Sequence, residues 1–167
     1  EYSQESFLWY ENTNVQTPTS TWPLGSGEFV SEGIAISGAG AVDNTDVVRL
    51  RMNLEAGNAT GSADTAAFKL QYASAPSGQC SSAAAWYDLG EIGSTTAAFS
   101  GYDNADVFDG ATLATTTLSG STVLATYEER NLSNFIPYDI AVGEVAEWDW
   151  SIEATNVDVN TNYCFRM

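Results

Sequence analysis

The sequence predicts an all-β fold: an antiparallel two-sheet sandwich of immunoglobulin-like type with one disulfide bond. Apolar residues recur at every second position in many segments, and no segment of ten or more residues repeats them at helical spacing. Clusters of Gly, Pro, Asn and Asp separate the alternating segments. Strands of this kind form two sheets packed face to face. A closed barrel is the competing architecture.

Nine segments alternate in this way or are rich in strand-forming residues. In chain order the candidate strands are 6–10, 29–36, 48–54, 68–72, 86–89, 113–118, 122–128, 148–153 and 163–167. The turns between them include 25–27, 38–40, 58–61, 76–78 and 109–110. No internal repeat and no linker divides the chain, so residues 1–167 are expected to form a single sandwich domain.

The clearest strand, 48–54, predicts how its sheet is exposed. Val48, Leu50 and Met52 alternate with Arg49 and Arg51. An antiparallel sheet with one solvated side buries its apolar face and leaves its polar face in water. We therefore expect the arginine face to be solvated.

Cys80 and Cys164 are the only thiols of the chain. Cys80 lies in a loop of Ser, Gly and Pro, where a buried free thiol is unusual, so we expect the two to pair in an oxidising compartment. Closing a loop of this length stabilises a fold by about 4 kcal/mol on the chain-entropy model. Arg166 shares a strand face with Cys164, so the disulfide should clamp a loop across the outside of the sandwich. Two buried free thiols in a cytosolic protein are the alternative.

The charge balance excludes several classes of function. Five basic residues face 22 acidic ones, the net charge is −17 and histidine is absent. Nucleic acids and anionic membrane surfaces both require a basic face, and no apolar run approaches the ~20 residues that span a bilayer. Schemes that depend on histidine, and most zinc sites, are excluded. We therefore predict no enzyme, no nucleic-acid partner and no membrane insertion.

The neighbouring carboxylates Glu128 and Glu129 raise the question of glycoside hydrolysis. Adjacent residues of a strand point to opposite faces, so the two do not flank one glycosidic bond. We expect them to form a solvated strand end.

One loop suggests the only cofactor that the sequence favours, a calcium ion. It contains Asp103, Asn104, Asp106 and Asp109 and ends in Gly110. Calcium takes six to eight hard oxygen ligands from loops of this composition. Asp and Asn are also ordinary turn residues, so the sequence leaves both interpretations open, and otherwise no cofactor is expected.

Aromatic residues near the predicted loops suggest a platform for sugars. They are Trp22, Trp86, Tyr87 and Tyr102. The competing interpretation is core packing, because most aromatics of this chain fall on inward strand faces.

Three further side chains are candidates for covalent modification. Asn58 and Asn131 each begin a glycosylation sequon. Lys69 alternates with Phe68 and Leu70, so it should face outward, away from any buried acid that could link it to an asparagine.

Several motifs resemble immunoglobulin-like modules of large secreted cell-surface and fibre proteins of environmental bacteria. In chain order they are SQESFLWYEN at 3–12, VRLR at 48–51, FKLQYA at 68–73, TYEE at 126–129 and NYCFR at 162–166. The resemblance implies an extracellular β-sandwich. It also implies a disulfide from the loop after one strand to the penultimate or last strand. Such modules occur in surface layers, stalks and fibres.

The two ends of the chain predict how copies would assemble. Segment 163–167 reads as a strand with no turn behind it, so the sandwich is expected to have an open edge that recruits another strand. Segment 1–12 is the candidate donated or exchanged strand, because part of it is apolar on both faces; that part is Ser6, Phe7, Leu8, Trp9 and Tyr10. A contact of this kind does not close, so it propagates into a fibre.

These observations predict a structural subunit of an extracellular filament, pilus-like fibre or surface layer. The expected partner is the chain itself, as a homo-oligomer or polymer. The first alternative is a carbohydrate- or receptor-binding adhesin module of a larger secreted protein. The second is an accessory domain of a secreted enzyme. With no signal peptide at Glu1, a secreted form is expected to be a processed or excised chain.

Overall fold

A computed structural model of the protein describes residues 1–23, 25, 27–30 and 42–167. Strands dominate these residues, and the helical structure found in them is one 3-10 turn at Cys80–Ser82. In chain order the strands are β1 (Tyr2–Glu11), β2 (Phe29–Val30), β3 (Val47–Ala56), β4 (Gln71–Ser74), β5 (Tyr87–Asp88), β6 (Phe99–Gly101), β7 (Val123–Glu128), β8 (Val145–Ala154) and β9 (Tyr163–Arg166). The predicted all-β class is confirmed.

The large sheet has the strand order β2-β1-β3-β8-β6. On the side of β8 opposite to β3, β6 pairs with its C-terminal end, and β7 pairs with Ala146 to Trp150. The β7–β8 pair is parallel, whereas the other pairs of this sheet are antiparallel. The central strands β3 and β8 each have ten residues and extend beyond the predicted segments 48–54 and 148–153 at both ends.

The small sheet has the order β5-β4-β9, and its pairs are antiparallel. Its inner face packs on the large sheet through aromatic rings. The ring of Phe165 on β9 lies 4.9 Å from that of Phe99 on β6 and 5.1 Å from that of Trp9 on β1. Trp148 and Trp150 of β8 are fully buried in the same core. The expected two-sheet sandwich is thus confirmed.

Some predicted elements differ from those observed. Segment 113–118 is not a strand, and β4 begins at Gln71 rather than at residue 68. The backbone N–H groups of Phe68 and Leu70 bond instead to the side chains of Ser133 and Asn131, so a loop occupies the place of a strand partner. The predicted turn at 38–40 and most of the predicted strand 29–36 lie outside the described residues.

Cys80 and Cys164 form the expected disulfide, which joins residues 84 positions apart in the sequence. Cys164 is fully buried, but on the outer side of the small sheet, where it packs with Ala75 and Trp86. Arg166 on the same strand face is exposed. The disulfide therefore clamps the 3-10 turn onto the outside of the sandwich, as predicted.

The expectation that the polar face of the large sheet is solvated is wrong. Arg49, Arg51 and Asn53 of β3 and Glu147 and Asp149 of β8 have no exposed surface. Two chain segments, one near residue 15 and one near residue 115, cover this face. The arginines donate hydrogen bonds to backbone carbonyls of both covering segments. The large sheet is buried on both sides.

No helix in the described ranges is long and apolar enough to cross a membrane.

The double substitution Cys80→Ser and Cys164→Ser should lower the free energy of unfolding by about 4 kcal/mol. Without the bond, the unfolded chain regains the conformational entropy that the closed loop had removed. Urea unfolding at neutral pH measures the change. The variant should still fold, since the disulfide lies outside the main core. Reduction of the parent protein is the control and should give the same loss. A loss below about 1 kcal/mol would contradict this account.

Candidate functional site

The strongest concentration of charge in the described structure lies on the covered face of the large sheet. Arg49, Arg51, Glu147 and Asp149 form a buried charge ladder between β3 and β8. Asp149 accepts from Nε and Nη2 of Arg49 at 2.8 and 2.7 Å. Its Oδ2 also accepts from Nε of Arg51 at 2.8 Å, and Nη1 of Arg51 lies 2.8 Å from Oε1 of Glu147. The two positive and two negative charges balance.

The strand register explains this geometry. Arg51 lies directly opposite Asp149 in the β3–β8 pair, and Asn53 lies opposite Glu147. Side chains at alternate positions share one face of a strand. The arginines and the acids therefore meet on one side of the sheet, and the tryptophans of β8 lie on the other.

The charge ladder also holds the two covering segments. Nη1 of Arg49 donates to the carbonyl of Val15, and Nη1 of Arg51 donates to the carbonyl of Thr115, each at 2.9 Å. Glu147 accepts from the backbone N–H groups of Thr117 and Leu118 at 3.0 and 2.9 Å. The charged groups therefore find their partners within the protein, and this arrangement is suited to holding the covering segments in one position.

Glu128 and Glu129 are not a solvated strand end, and that expectation is wrong. Glu128 is fully buried and Glu129 nearly so. Oε2 of Glu128 accepts from the backbone N–H and the Nδ2 of Asn134 at 2.9 and 3.0 Å, and Thr126 donates its hydroxyl to Oε1. Burial outweighs these hydrogen bonds and raises the pKa of Glu128 to about 7.

Glu129 has a separate set of partners. Its Oε1 accepts from the backbone N–H of Asn104 at 2.8 Å and from the hydroxyl of Tyr127 at 2.9 Å. Burial raises the pKa of this carboxyl as well. The two glutamates thus anchor two different loops, one around residue 134 and one around residue 104.

The loop proposed for calcium does not gather its four oxygen-bearing residues into one site. Asn104 points inward and donates to Tyr127 and Ser151. Asp106 accepts from Asn14, and Asp109 accepts from the backbone N–H of Glu129; Asp103 is exposed. Among the described residues no three His, Cys, Asp or Glu side chains are grouped so that they could hold a metal ion.

The candidate exchange segment lies inside its own sheet rather than exposed at the surface. Ser6, Phe7, Leu8, Trp9 and Tyr10 are all buried within β1. In the single chain, this segment therefore occupies the position in the sheet that a strand donated by a neighbouring copy would occupy.

The two sequons differ in their surroundings. Asn58 is exposed, and its Oδ1 accepts from the amino group of Glu1. Asn131 is half-buried, and its carboxamide both accepts from the N–H and donates to the carbonyl of Leu70, each at 3.0 Å. Its carboxamide thus substitutes for a strand partner of Leu70. Lys69 faces outward, as predicted, and its Nζ lies 2.5 Å from Oδ2 of Asp88.

The four aromatics proposed for sugar binding lie in different environments. Trp22 packs against the main core and Tyr102 is half-buried. Tyr87 is 57% exposed, and Trp86 lies against the disulfide.

Trp86 lines a surface cleft of about 500 Å³ together with Arg166. The guanidinium carbon of Arg166 lies 4.2 Å from the centre of the Trp86 ring. Strand alternation places Arg166 on the outer face with Cys164 but does not join it to Trp86. In the sequence, the proximity of Trp86 to Arg166 could have been inferred only from the disulfide, because Cys80 brings the segment that leads to Trp86 next to Cys164.

Asp149→Asn should lower the free energy of unfolding by about 3 to 5 kcal/mol, because both arginines of the charge ladder then lie buried beside a neutral group. Asp88→Asn is the matched control, since its exposed pair with Lys69 contributes about 1 kcal/mol or less. Urea unfolding of both variants makes the comparison. Equal losses would show that the charge ladder is not held in a dry interior.

The buried carboxyl of Glu128 predicts a pH dependence of stability. The folded protein holds this proton up to about pH 7, whereas the unfolded chain releases it near the ordinary glutamate pKa of 4.5. This contribution to stability is present at low pH and is lost as the pH rises toward 7. Glu128→Gln should therefore match the parent protein near pH 4 and exceed its free energy of unfolding by about 3 kcal/mol at pH 8. Urea unfolding at the two pH values measures the difference.

Exposed Glu91 gives the control for this measurement. Glu91→Gln should follow the parent protein at both pH values. A Glu128→Gln variant that gains nothing between pH 4 and pH 8 would show that the carboxyl is already ionised in the folded protein.

Comparison of the chain with protein-family models, with curated proteins and with solved structures finds no match. The two-sheet architecture therefore stands on the structure described above, and the immunoglobulin-like resemblance on the sequence motifs.

Proposed function

We propose that this chain is a structural module of an extracellular filament, fibre or surface layer, in which copies contact each other through β-strands. The observation that carries the proposal is the position of β1. Eight of its residues pair with β3. On its other edge, the described residues that pair with it are few: β2 at Ser6 and Phe7, and Thr21 in an isolated bridge to Tyr10. Within the described structure, β3 is thus the one long strand partner of β1.

The side chains of β1 serve both layers of the protein. Phe7 and Trp9 enter the main core between the two sheets. Leu8 and Tyr10 pack with Leu118 on the opposite side of the sheet. A β1 strand supplied by a neighbouring copy would make the same contacts, so strand exchange requires no additional complementary surface.

A second surface is suited to contact between copies. Phe108 is 80% exposed, Phe135 59% and Leu132 52%. The loops that carry them lie against each other. Gly110 is so close to Asn134 that a β-carbon added to the glycine would lie 2.6 Å from the Asn134 side chain. Exposed apolar side chains on neighbouring loops are characteristic of protein interaction surfaces, and such contacts oppose the repulsion between chains of charge −17.

The disulfide supports an extracellular location. Disulfide bonds form and persist in oxidising compartments and are rare in the cytosol. A fold that combines this covalent clamp with a buried charge ladder is suited to keeping its shape outside the cell.

A carbohydrate- or receptor-binding module is the second candidate. The observation that favours it is the cleft between Trp86 and Arg166. The two functions are compatible, because β1 and this cleft lie on different sheets.

A cross-linking experiment tests strand exchange. Ser3 of β1 lies directly opposite Glu55 of β3, so a variant with Ser3→Cys and Glu55→Cys places two thiols within reach of each other. Electron microscopy first identifies filaments or layers of this variant, and non-reducing gel electrophoresis then shows which chains are linked. Exchange should give covalent ladders of many chains, whereas a self-completed sheet gives a single monomer band.

The matched control carries Ser3→Cys alone and should give no ladder. Replacing Phe108 and Phe135 with Ser should reduce assembly while leaving the monomer folded, since both side chains are exposed. Filaments whose cross-links all stay within one chain would rule out exchange. Dispersed monomers at every concentration would rule out the assembly itself.

A further inference from the structure

The cleft beside the disulfide has two walls that are covalently tied. One wall is β9, with Phe165 and Arg166, and the other is formed by the residues around the 3-10 turn together with Trp86. The Cys80–Cys164 bond joins the two walls. A volume of about 500 Å³ is in the range of sites for small ligands.

Arg166 differs from the other basic side chains of the described structure. Arg49 and Arg51 are used in the charge ladder, and Lys69 pairs with Asp88. Arg130 lies 3.9 Å from Asp109. Among the described residues Arg166 has no carboxylate within ion-pair distance, although the chain has 22 acidic residues.

Its guanidinium is nevertheless held in place. Nε and Nη2 both donate to Oε1 of Gln71, at 2.9 and 2.8 Å, and its flat face lies over the ring of Trp86. These contacts orient the group without neutralising it. The described residues that line the cleft include no acid. A fixed, uncompensated guanidinium in such a cleft selects a carboxylate or another anionic group.

The rest of the lining indicates what carries that anionic group. Trp86 supplies aromatic surface, and Gln79 and Ser81 supply an amide and a hydroxyl. A pyranose ring has an apolar face of C–H groups for the indole and hydroxyl groups for the polar side chains. We propose that this cleft binds a uronic acid residue of an acidic polysaccharide, with its carboxylate on Arg166.

Titration calorimetry of the full chain with tetragalacturonate tests the proposal, with the fully methyl-esterified tetramer as the matched ligand. The ester keeps the sugar rings and removes the charge. Binding of the acid should be at least about tenfold tighter than binding of the ester, the usual scale for loss of a charged hydrogen bond. No heat with either ligand at millimolar concentration would overturn the proposal. Equal binding of both would show a neutral-sugar site instead.

Two exposed arginines provide matched variants. Arg166→Gln should weaken binding of the acid by about tenfold or more, whereas Arg130→Gln should leave it unchanged. Both variants should keep the thermal stability of the parent, so a loss of binding would not reflect unfolding. An equal loss in the two variants would show that general charge, and not this cleft, attracts the ligand.

A variant without the disulfide tests the location of the site independently. Cys80→Ser with Cys164→Ser frees one wall from the other and should weaken binding while circular dichroism still reports the β-sandwich. Unchanged affinity in this variant would place the ligand elsewhere. The outcome does not depend on assembly, because each measurement uses the dispersed chain.

Discussion

The central physical constraint of this structure is the pairing of two arginines with two carboxylates inside a sheet that is covered on both faces. Charges removed from water destabilise a protein by several kcal/mol each unless other charges and hydrogen bonds replace the water. Here Asp149 accepts from both Arg49 and Arg51, and Glu147 takes a further guanidinium N–H and backbone donors. The covering segments provide the remaining acceptors. The charge ladder and its cover therefore stabilise each other.

This arrangement gives the large sheet two unlike faces. The face toward the small sheet is filled by aromatic and aliphatic side chains, with Trp148 and Trp150 at its centre. The opposite face is a polar layer held by hydrogen bonds of definite direction. Apolar packing tolerates small shifts, whereas bidentate arginine pairs fix one register. The core thus holds most of the buried apolar side chains, and the polar layer specifies how the covering loops lie.

The strand pattern of the sequence is sufficient for the class of fold and the two sheets, and the loop composition around Cys80 predicts its pairing with Cys164. Alternation in β3 and β8 identifies which residues share a face, but not what lies above that face. The prediction of a solvated arginine face fails because alternation reports polarity, and a polar face can be buried by loops of its own chain. A clue is present: two of five basic residues lie on one strand, and Glu147 and Asp149 alternate with tryptophans on another. For Glu128, similarly, no local pattern shows that Asn134 and Thr126 enclose it.

The position of the Arg49–Asp149 pair in the chain has a consequence for how the protein reaches this state. The two residues are 100 positions apart, and β1 also pairs with a strand distant in the sequence, with Tyr2 opposite Ala56 of β3. Chains dominated by such distant pairings fold over milliseconds to seconds, slowly for their size. Until β3 meets β8, the arginines remain in water and the covering segments have nothing to dock on. Docking of the covering segments on the arginines therefore depends on the pairing of β3 with β8.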